Sequence, residues 1–282
     1  MQHIPVLLKE VVDILNPRVG DHVLDCTVGL GGHAKAFLEN IGSKGFLVGI
    51  DADGENLKMA RENLKEDKNV KLVQGNFRVM VSSTHDTFDI IFADLGLSSP
   101  HIDDPTRGFT YREDGPLDLR FDQTKGLSGA QLIAQISEKE LADVLWQYGE
   151  IKSSRRLACA IKEQNVQSTL GLKKCAEDIV GRFARKLLPQ IFQALRIAVN
   201  DELGSLNILL QQGPSLLNSG GRMGIISYHS LEDRMVKQSF RALDPSTYQI
   251  LTKKPICPSE EEVKNNPRSR SAKFRVIQRV LE

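Results

Sequence analysis

The sequence predicts an α/β fold, a parallel sheet covered by helices on both faces and interrupted by a helical domain. Two observations carry this. Short apolar runs alternate with segments of helical period between residues 21 and 94, the pattern of βαβ units. After Asp94 the alternation stops, and a long helix-rich stretch intervenes before strand-like sequence resumes at Arg222. The expected division is 1–102 for the first part of the sheet domain, 103–212 for the helical insertion and 213–282 for the second part of the sheet domain.

Asp21–Asp25 and Gly45–Asp51 read as strands, followed by a helix between Asp53 and Lys68 in which Leu57, Ala60, Arg61 and Leu64 recur at helical spacing. Val70–Val73 and Phe88–Ala93 are further strands, the second apolar enough to be central. From Ile102 to Lys125 the chain is loop-like, with Pro105, Gly108, Gly115 and Pro116. Helices are expected over Glu138–Tyr148, Ile151–Gln164, Leu172–Leu188 and Gln190–Gln212. The sheet resumes with Arg222–Tyr228, then a helix opens at Ser230, whose hydroxyl can cap it with Asp233 three residues on. Tyr248–Lys253 and Ala272–Leu281 read as the last strands.

Composition bounds the function. With 40% hydrophobic and 26% charged residues the chain is ordinary for a soluble globular protein. Its longest apolar runs are too short to span a bilayer, and the N-terminus lacks the pattern of a secretory signal, so a cytoplasmic protein without membrane contact is expected. Four cysteines (Cys26, Cys159, Cys175, Cys257) stand far apart without a CxxC pair, which points to buried reduced thiols and to no metal site. A net charge of +1 makes the whole molecule no electrostatic binder of nucleic acid. The charge is uneven, however. Lys152, Arg155 and Arg156 cluster, as do Arg182, Arg185 and Lys186, and Arg268, Arg270, Lys273, Arg275 and Arg279 crowd near the end. Such clusters are either phosphate-binding patches or solvated helix faces and a basic edge strand.

The chemistry-bearing stretch is Asp25–His33. Val23 and Leu24 lead into Gly29, Gly31 and Gly32, and helix formers follow from Ala34 to Leu38. A strand, a tight turn and a helix N-terminus in that order let the backbone approach a ligand, and Asp51 at the tip of the next strand can grip ribose hydroxyls. A nucleoside-type cofactor follows. Gly29, Gly31 and Ala34 also fit the dinucleotide fingerprint of an oxidoreductase. Asp25 ahead of the glycines favours S-adenosylmethionine instead, and so does the absence of a second nucleotide-binding half after Asp94. Phe77, after the third strand, offers a ring to flank adenine or to pack the core. Asp94 lies where open sheets bind ligands, outside a central strand. Methyl transfer to an exocyclic amine needs an acceptor for its N–H groups, so Asp94 is the best catalytic candidate. His229, directly after a strand, is a second; Cys257 is the only loop cysteine for a covalent route, and nothing nearby would activate it.

The motifs taken together resemble one family, the bacterial small-subunit ribosomal RNA cytosine-N4 methyltransferases known as RsmH or MraW. The matching stretches are His3–Val11, Asp25–His33, Gly49–Asp51, Asp94–Asp103, Arg107–Phe109, Asp114–Asp118, Phe192–Ile197 with Asn200–Leu203, Ser227–Arg234 and Asn266–Lys273. The resemblance implies a Rossmann-like S-adenosylmethionine-dependent methyltransferase core with an inserted helical domain. It implies S-adenosylmethionine as donor and, as acceptor, a cytosine in the decoding centre (P-site region) of 16S ribosomal RNA, in the small subunit. Carried over as cofactor contacts are Gly31, Gly32, His33, Asp51, Phe77, Asp94 and His101. Phe109 or Tyr111 would stack on the flipped-out base, and Arg196, Arg268 and Arg270 would meet RNA. The chain departs from the family at His101, where many members carry glutamine, and at Leu187–Ile191, where a His-Pro stretch with an arginine is usual. It is also short between Asp244 and Pro258. A ribosome-binding assembly factor without turnover, and a methyltransferase for a protein or small molecule, are the other readings.

Overall fold

The computed structural model describes residues 5–280. His3 and Ile4, which open the first matching motif, and Leu281, expected to end the last strand, lie outside them. The chain divides into two compact units, one running to Gly96 and resuming at Gly204, the other spanning Leu97–Leu203.

In the sheet unit, α1 (Leu8–Leu15) precedes β1 (His22–Asp25), α2 (Gly32–Ile41), β2 (Phe46–Asp51), α3 (Gly54–Asn63), β3 (Val70–Gln74), α4 (Phe77–Ser83) and β4 (Phe88–Asp94). The helical unit contains α5 (Ser99–Asp103), α6 (Gly129–Gln135), α7 (Glu138–Gly149), α8 (Ser154–Glu163), α9 (Thr169–Val180) and α10 (Ala184–Asn200). After α11 (Glu202–Gln212) the sheet unit finishes with β5 (Leu217–Ser227), α12 (Ser230–Ala242), β6 (Tyr248–Ile250), α13 (Glu260–Asn265) and β7 (Lys273–Arg279).

The seven strands lie in the order β3-β2-β1-β4-β5-β7-β6. Pairing is parallel from β3 to β5, and β7 runs antiparallel to both β5 and β6. Successive side chains of a strand point to opposite faces, and here both faces are buried. Val23, Ile90, Phe92 and Ile226 join Phe37 of α2 and Phe274 of β7 in one layer. Leu24, Ile91 and Ile225 join Leu206, Leu209, Leu210 and Phe240 in the other. Phe92, fully buried, sets its ring edge-on to Phe37 and Phe274 at centroid distances of 5.5 and 6.4 Å. The helical unit has its own core, built from residues such as Leu141, Leu145, Leu157, Leu172, Ile191 and Leu195.

Four local expectations are corrected. Leu172–Leu188 is not one helix: α9 stops at Gly181, which takes a left-handed φ of 54° that suits glycine. Pro189 does not separate two helices but lies inside α10, where the buried face of Leu188, Ile191, Phe192 and Leu195 outweighs the one N–H that proline lacks. The break comes instead at Asp201, with φ of 50°. The basic strand β7 is not an edge, since β6 covers it. Nor are all thiols buried: Cys26 and Cys175 are, Cys159 is half-buried and Cys257 exposed. The boundaries also differ from 103–212, because Leu206, Leu209 and Leu210 of α11 belong to the sheet core.

Truncating Phe92 leaves a cavity between helix and strand that the flanking rings cannot fill. Phe92→Ala should lower the unfolding free energy in urea by about 3–5 kcal/mol; a loss under about 1 kcal/mol would show that this ring does not hold the two elements together.

Candidate active site

Three neighbouring parallel strands end on acids. β1 closes at Asp25, β2 at Asp51 and β4 at Asp94, with β1 between the other two. Backbone bonds past the strand ends hold these tips together: Cys26 N–H donates to the Phe92 carbonyl and Val28 N–H to the Ile50 carbonyl, both at 2.8 Å. The Asp94 N–H donates to Thr27 Oγ1 at 2.6 Å, so the loop after β1 is tied to the end of β4.

Between β1 and α2 the loop turns through Gly31, with φ of 87°, and α2 opens without a side-chain cap. Its first turn therefore carries the positive end of the helix dipole without a side-chain acceptor at its cap position. Gly32 has no room for a side chain, because a Cβ there would stand 2.5 Å from Cγ of Pro5. The carboxylate of Asp51 organises the loop from the next strand, accepting from the N–H of Gly29 and the N–H of Asp53, each at 2.8 Å. Ribose hydroxyls would have to bond its remaining lone pairs.

Asp25 is 1% exposed; its Oδ1 accepts from Thr27 N–H at 3.1 Å, and its Oδ2 is buried with no partner among the described residues. Burial pushes its carboxyl up to about 8. Asp94 keeps a side-chain exposure of 21%. Its Oδ1 accepts from the Tyr228 hydroxyl at 2.7 Å, and its Oδ2 stands 3.9 Å from Nδ1 of His33. Burial raises the Asp94 carboxyl to about 7; the Tyr228 hydrogen bond pulls it down, and the nearby Glu232 charge pushes it up. Burial and the Asp94 charge raise the Tyr228 hydroxyl in turn, so it stays a donor. His33 is buried with Nε2 against the Val6 carbonyl at 2.9 Å, and its ring lies 4.8 Å from that of Phe92. Because a carbonyl only accepts, Nε2 carries a proton in this contact.

Gly31, Gly32, His33, Asp51 and Asp94 thus come together in the sheet unit. Phe77 opens α4 directly after the cap residue Asn76 and is half-buried beside the second apolar layer. His229, rather than Ser230, caps α12: its Nδ1 accepts from Glu232 N–H at 3.4 Å, and Glu232 Oε2 accepts in return from the backbone N–H of His229 at 3.3 Å. That cap engages Nδ1, while Nε2 is buried 3.1 Å from Glu232 Oε1. Arg268 and Arg270 are exposed on the short turn before β7.

The other named residues lie in the helical unit. His101 is buried there, its Nδ1 accepting from Ser98 N–H at 3.1 Å and its ring 5.1 Å from Phe109. Phe109 is 8% exposed and stacks on Phe121, whereas Tyr111 is half-buried with its ring 5.2 Å from Phe192. Arg196 is turned inward, its Nε and Nη2 donating to the two carboxylate oxygens of Glu202 at 2.8 and 3.0 Å. Among the described residues no three His, Cys, Asp or Glu side chains are grouped to hold a metal ion, and no helix is long and apolar enough to cross a membrane.

Tyr228 and Thr27 are the residues that sequence reasoning did not single out. Tyr228 follows from the register once the strand pairing is known. The register pairs Asp94 with Ile226, and the alternation of a strand puts residue 228 on the same side two positions on.

The raised Asp25 carboxyl has a signed consequence. It holds its proton more tightly folded than unfolded, so ionising it costs stability as pH rises from its ordinary 3.8 to about 8. Asp25→Asn, which keeps the Oδ1 acceptor, should match the wild type near pH 4 and become progressively more stable than it up to pH 8 in urea titrations. A constant difference across that range would refute the shift.

The sequence profile of the MraW methylase family matches residues 1–280. The chain is 44% identical over 282 residues to "Ribosomal RNA small subunit methyltransferase H" of Cyanothece sp. (strain PCC 7425 / ATCC 29141), covering 99% of this chain and 95% of that protein. It is 41% identical over 294 residues to the protein of the same name from Dictyoglomus thermophilum, covering 98% and 96%. Among solved structures, the crystal structure of a putative rRNA-methylase from Clostridium thermocellum aligns with 99% of this chain and 100% of its own, at a TM-score of 0.48 and 13% identity. The sheet unit is Rossmann-like, and the chain belongs to the MraW methylase family: it is a methyltransferase that uses S-adenosylmethionine.

Proposed function

We propose that the protein methylates the N4 amine of a cytosine in the decoding centre of small-subunit 16S ribosomal RNA. The observation that carries this is the Tyr228–Asp94 hydrogen bond at the end of β4. It fixes one carboxylate oxygen of Asp94 and leaves the other to accept from an exocyclic amine. The relatives in the family bear names that make them small-subunit ribosomal RNA methyltransferases, which supports ribosomal RNA as the acceptor.

The residues present fit the donor. Asp25 Oδ2 is a buried acceptor without a partner among the described residues, suited to an ammonium group; Asp51 suits ribose hydroxyls; and the N-terminus of α2, beside Gly31, Gly32 and His33, suits a carboxylate. Phe77 would pack on an adenine. S-adenosylmethionine supplies an electrophilic methyl group.

The protein's part is orientation and proton handling. The cytosine amine shares its lone pair with the ring, so it is a weak nucleophile until an acceptor holds its N–H. Asp94 Oδ2, when ionised, accepts that hydrogen and takes the proton as the nitrogen becomes methylated. Tyr228 keeps the carboxylate from rotating away and holds its affinity for the proton near neutrality, where an acceptor can both take and release it. The exposed Arg268 and Arg270 engage RNA phosphates, and Tyr111 of the helical unit offers a ring to a base. A ribosomal RNA substrate supports a cytoplasmic location.

Purified protein with labelled S-adenosylmethionine and small ribosomal subunits should label one cytosine at N4; no incorporation would overturn the proposal. Asp94→Asn should lower kcat by about 100-fold or more, and Tyr228→Phe by about tenfold, with the affinity for S-adenosylhomocysteine retained in the second. In the wild type kcat/KM should rise with pH through about 7 as Asp94 ionises; a flat profile between pH 6 and 8 would remove Asp94 from the proton transfer.

A further inference from the structure

At the β6 edge of the sheet a cleft of about 210 Å³ opens between α12, the chain around β6, and β7. Lys237, Arg241, Lys253 and Arg275 supply its charge, and Phe240 and Ile250 form an apolar wall. None of these residues belongs to the site at the strand tips. Lys237 and Arg241 stand four apart on α12, on one face, where like charges weaken a helix rather than support it.

The acid nearest this charge is already used. Asp233 accepts from Arg275 Nε through one oxygen at 2.7 Å and from Lys273 Nζ through the other at 3.2 Å. Lys237, Arg241 and Lys253 make no ion pair with any described residue, so the cleft is strongly positive. Thr252, 6% exposed, adds a neutral donor to the same wall. Its Oγ1 accepts from Val276 N–H at 2.8 Å, and its own hydroxyl hydrogen has no acceptor among the described residues. Cations, a committed hydroxyl donor and an apolar face are the complement of a phosphodiester with its ribose. The volume holds a phosphate and part of a sugar, and is small for a larger organic ligand.

We infer that this cleft is a second RNA-backbone site, gripping a phosphodiester of the RNA away from the base that is methylated. The inference rests on the RNA reading above. It adds an anchor on α12 and β7 that base recognition does not need, and that contributes affinity through counterion release.

The test is the salt dependence of binding of Lys237→Ala/Arg241→Ala/Lys253→Ala to small-subunit ribosomal RNA, with S-adenosylhomocysteine affinity measured beside it. Loss of the grip on that one phosphodiester should reduce the slope of log affinity against log salt by about 1. Affinity at moderate salt should fall at least tenfold, with S-adenosylhomocysteine binding unchanged. An unchanged slope and affinity, while the wild type binds and methylates the RNA, would overturn this inference and leave the methylation reading standing. A wild type that neither binds nor methylates the RNA overturns both. If the triple variant loses S-adenosylhomocysteine binding, the single exposed variant Lys253→Glu decides: a several-fold loss of RNA affinity supports the anchor, and none overturns it.

Discussion

The pairing of β4 with β1 on one side and β5 on the other is the constraint on which the rest depends. Its register sets Asp25 opposite Phe92 and Asp94 opposite Ile226, so the acid of β4 stands two residues beyond the level of the acid of β1 and next to the strand that leads into Tyr228. Parallel strands bring all their carboxyl ends to one side of a sheet. The same pairing buries both faces, through Ile90 and Phe92 on one and Ile91 and Ala93 on the other. The hydrophobic effect that fixes this register therefore also fixes where the polar tips stand.

Gathering carboxyls at buried strand ends works against their ionisation, and each acid is handled differently. Asp51 accepts from N–H donors of its own turn and of the glycine loop. Asp25 has one such donor and an empty second oxygen, which leaves it protonated without a cationic partner. Asp94 lies between, held near neutrality by burial against one hydroxyl donor. Three like residues on adjacent strands thus acquire three distinct chemistries from their second neighbours. Those neighbours, Thr27 and Tyr228 among them, lie in stretches far apart in sequence.

The legible part of the fold was the part governed by local pattern. Strands with apolar runs such as Phe88–Ala93 and the strand–glycine–helix unit from Asp25 show in any single window of the chain. What failed needed tertiary information. Pro189 reads as a stop but is overruled by the buried face of α10, and the left-handed residues Gly181 and Asp201 that end α9 and α10 have no equally strong sequence mark. The basic strand β7 looked like an edge because nothing in its sequence reveals that β6 folds back onto it. Of the site, Asp51 and Asp94 were readable from strand ends. The assignment of the cap of α12 to Ser230 instead of His229 came from ranking hydroxyls above an imidazole as caps, and Tyr228 was hidden because its partner sits 134 residues away.

The Asp94 carboxyl can be observed directly. A carbon NMR titration of the labelled side chain, in wild type and in Tyr228→Phe, follows its proton without reference to any substrate. The expected midpoint is about 7 in the wild type and higher in the variant, because removing the hydroxyl removes the one contact that favours the charged form. A midpoint near the ordinary 3.8 in both proteins would contradict a buried, tyrosine-held acceptor at the end of β4.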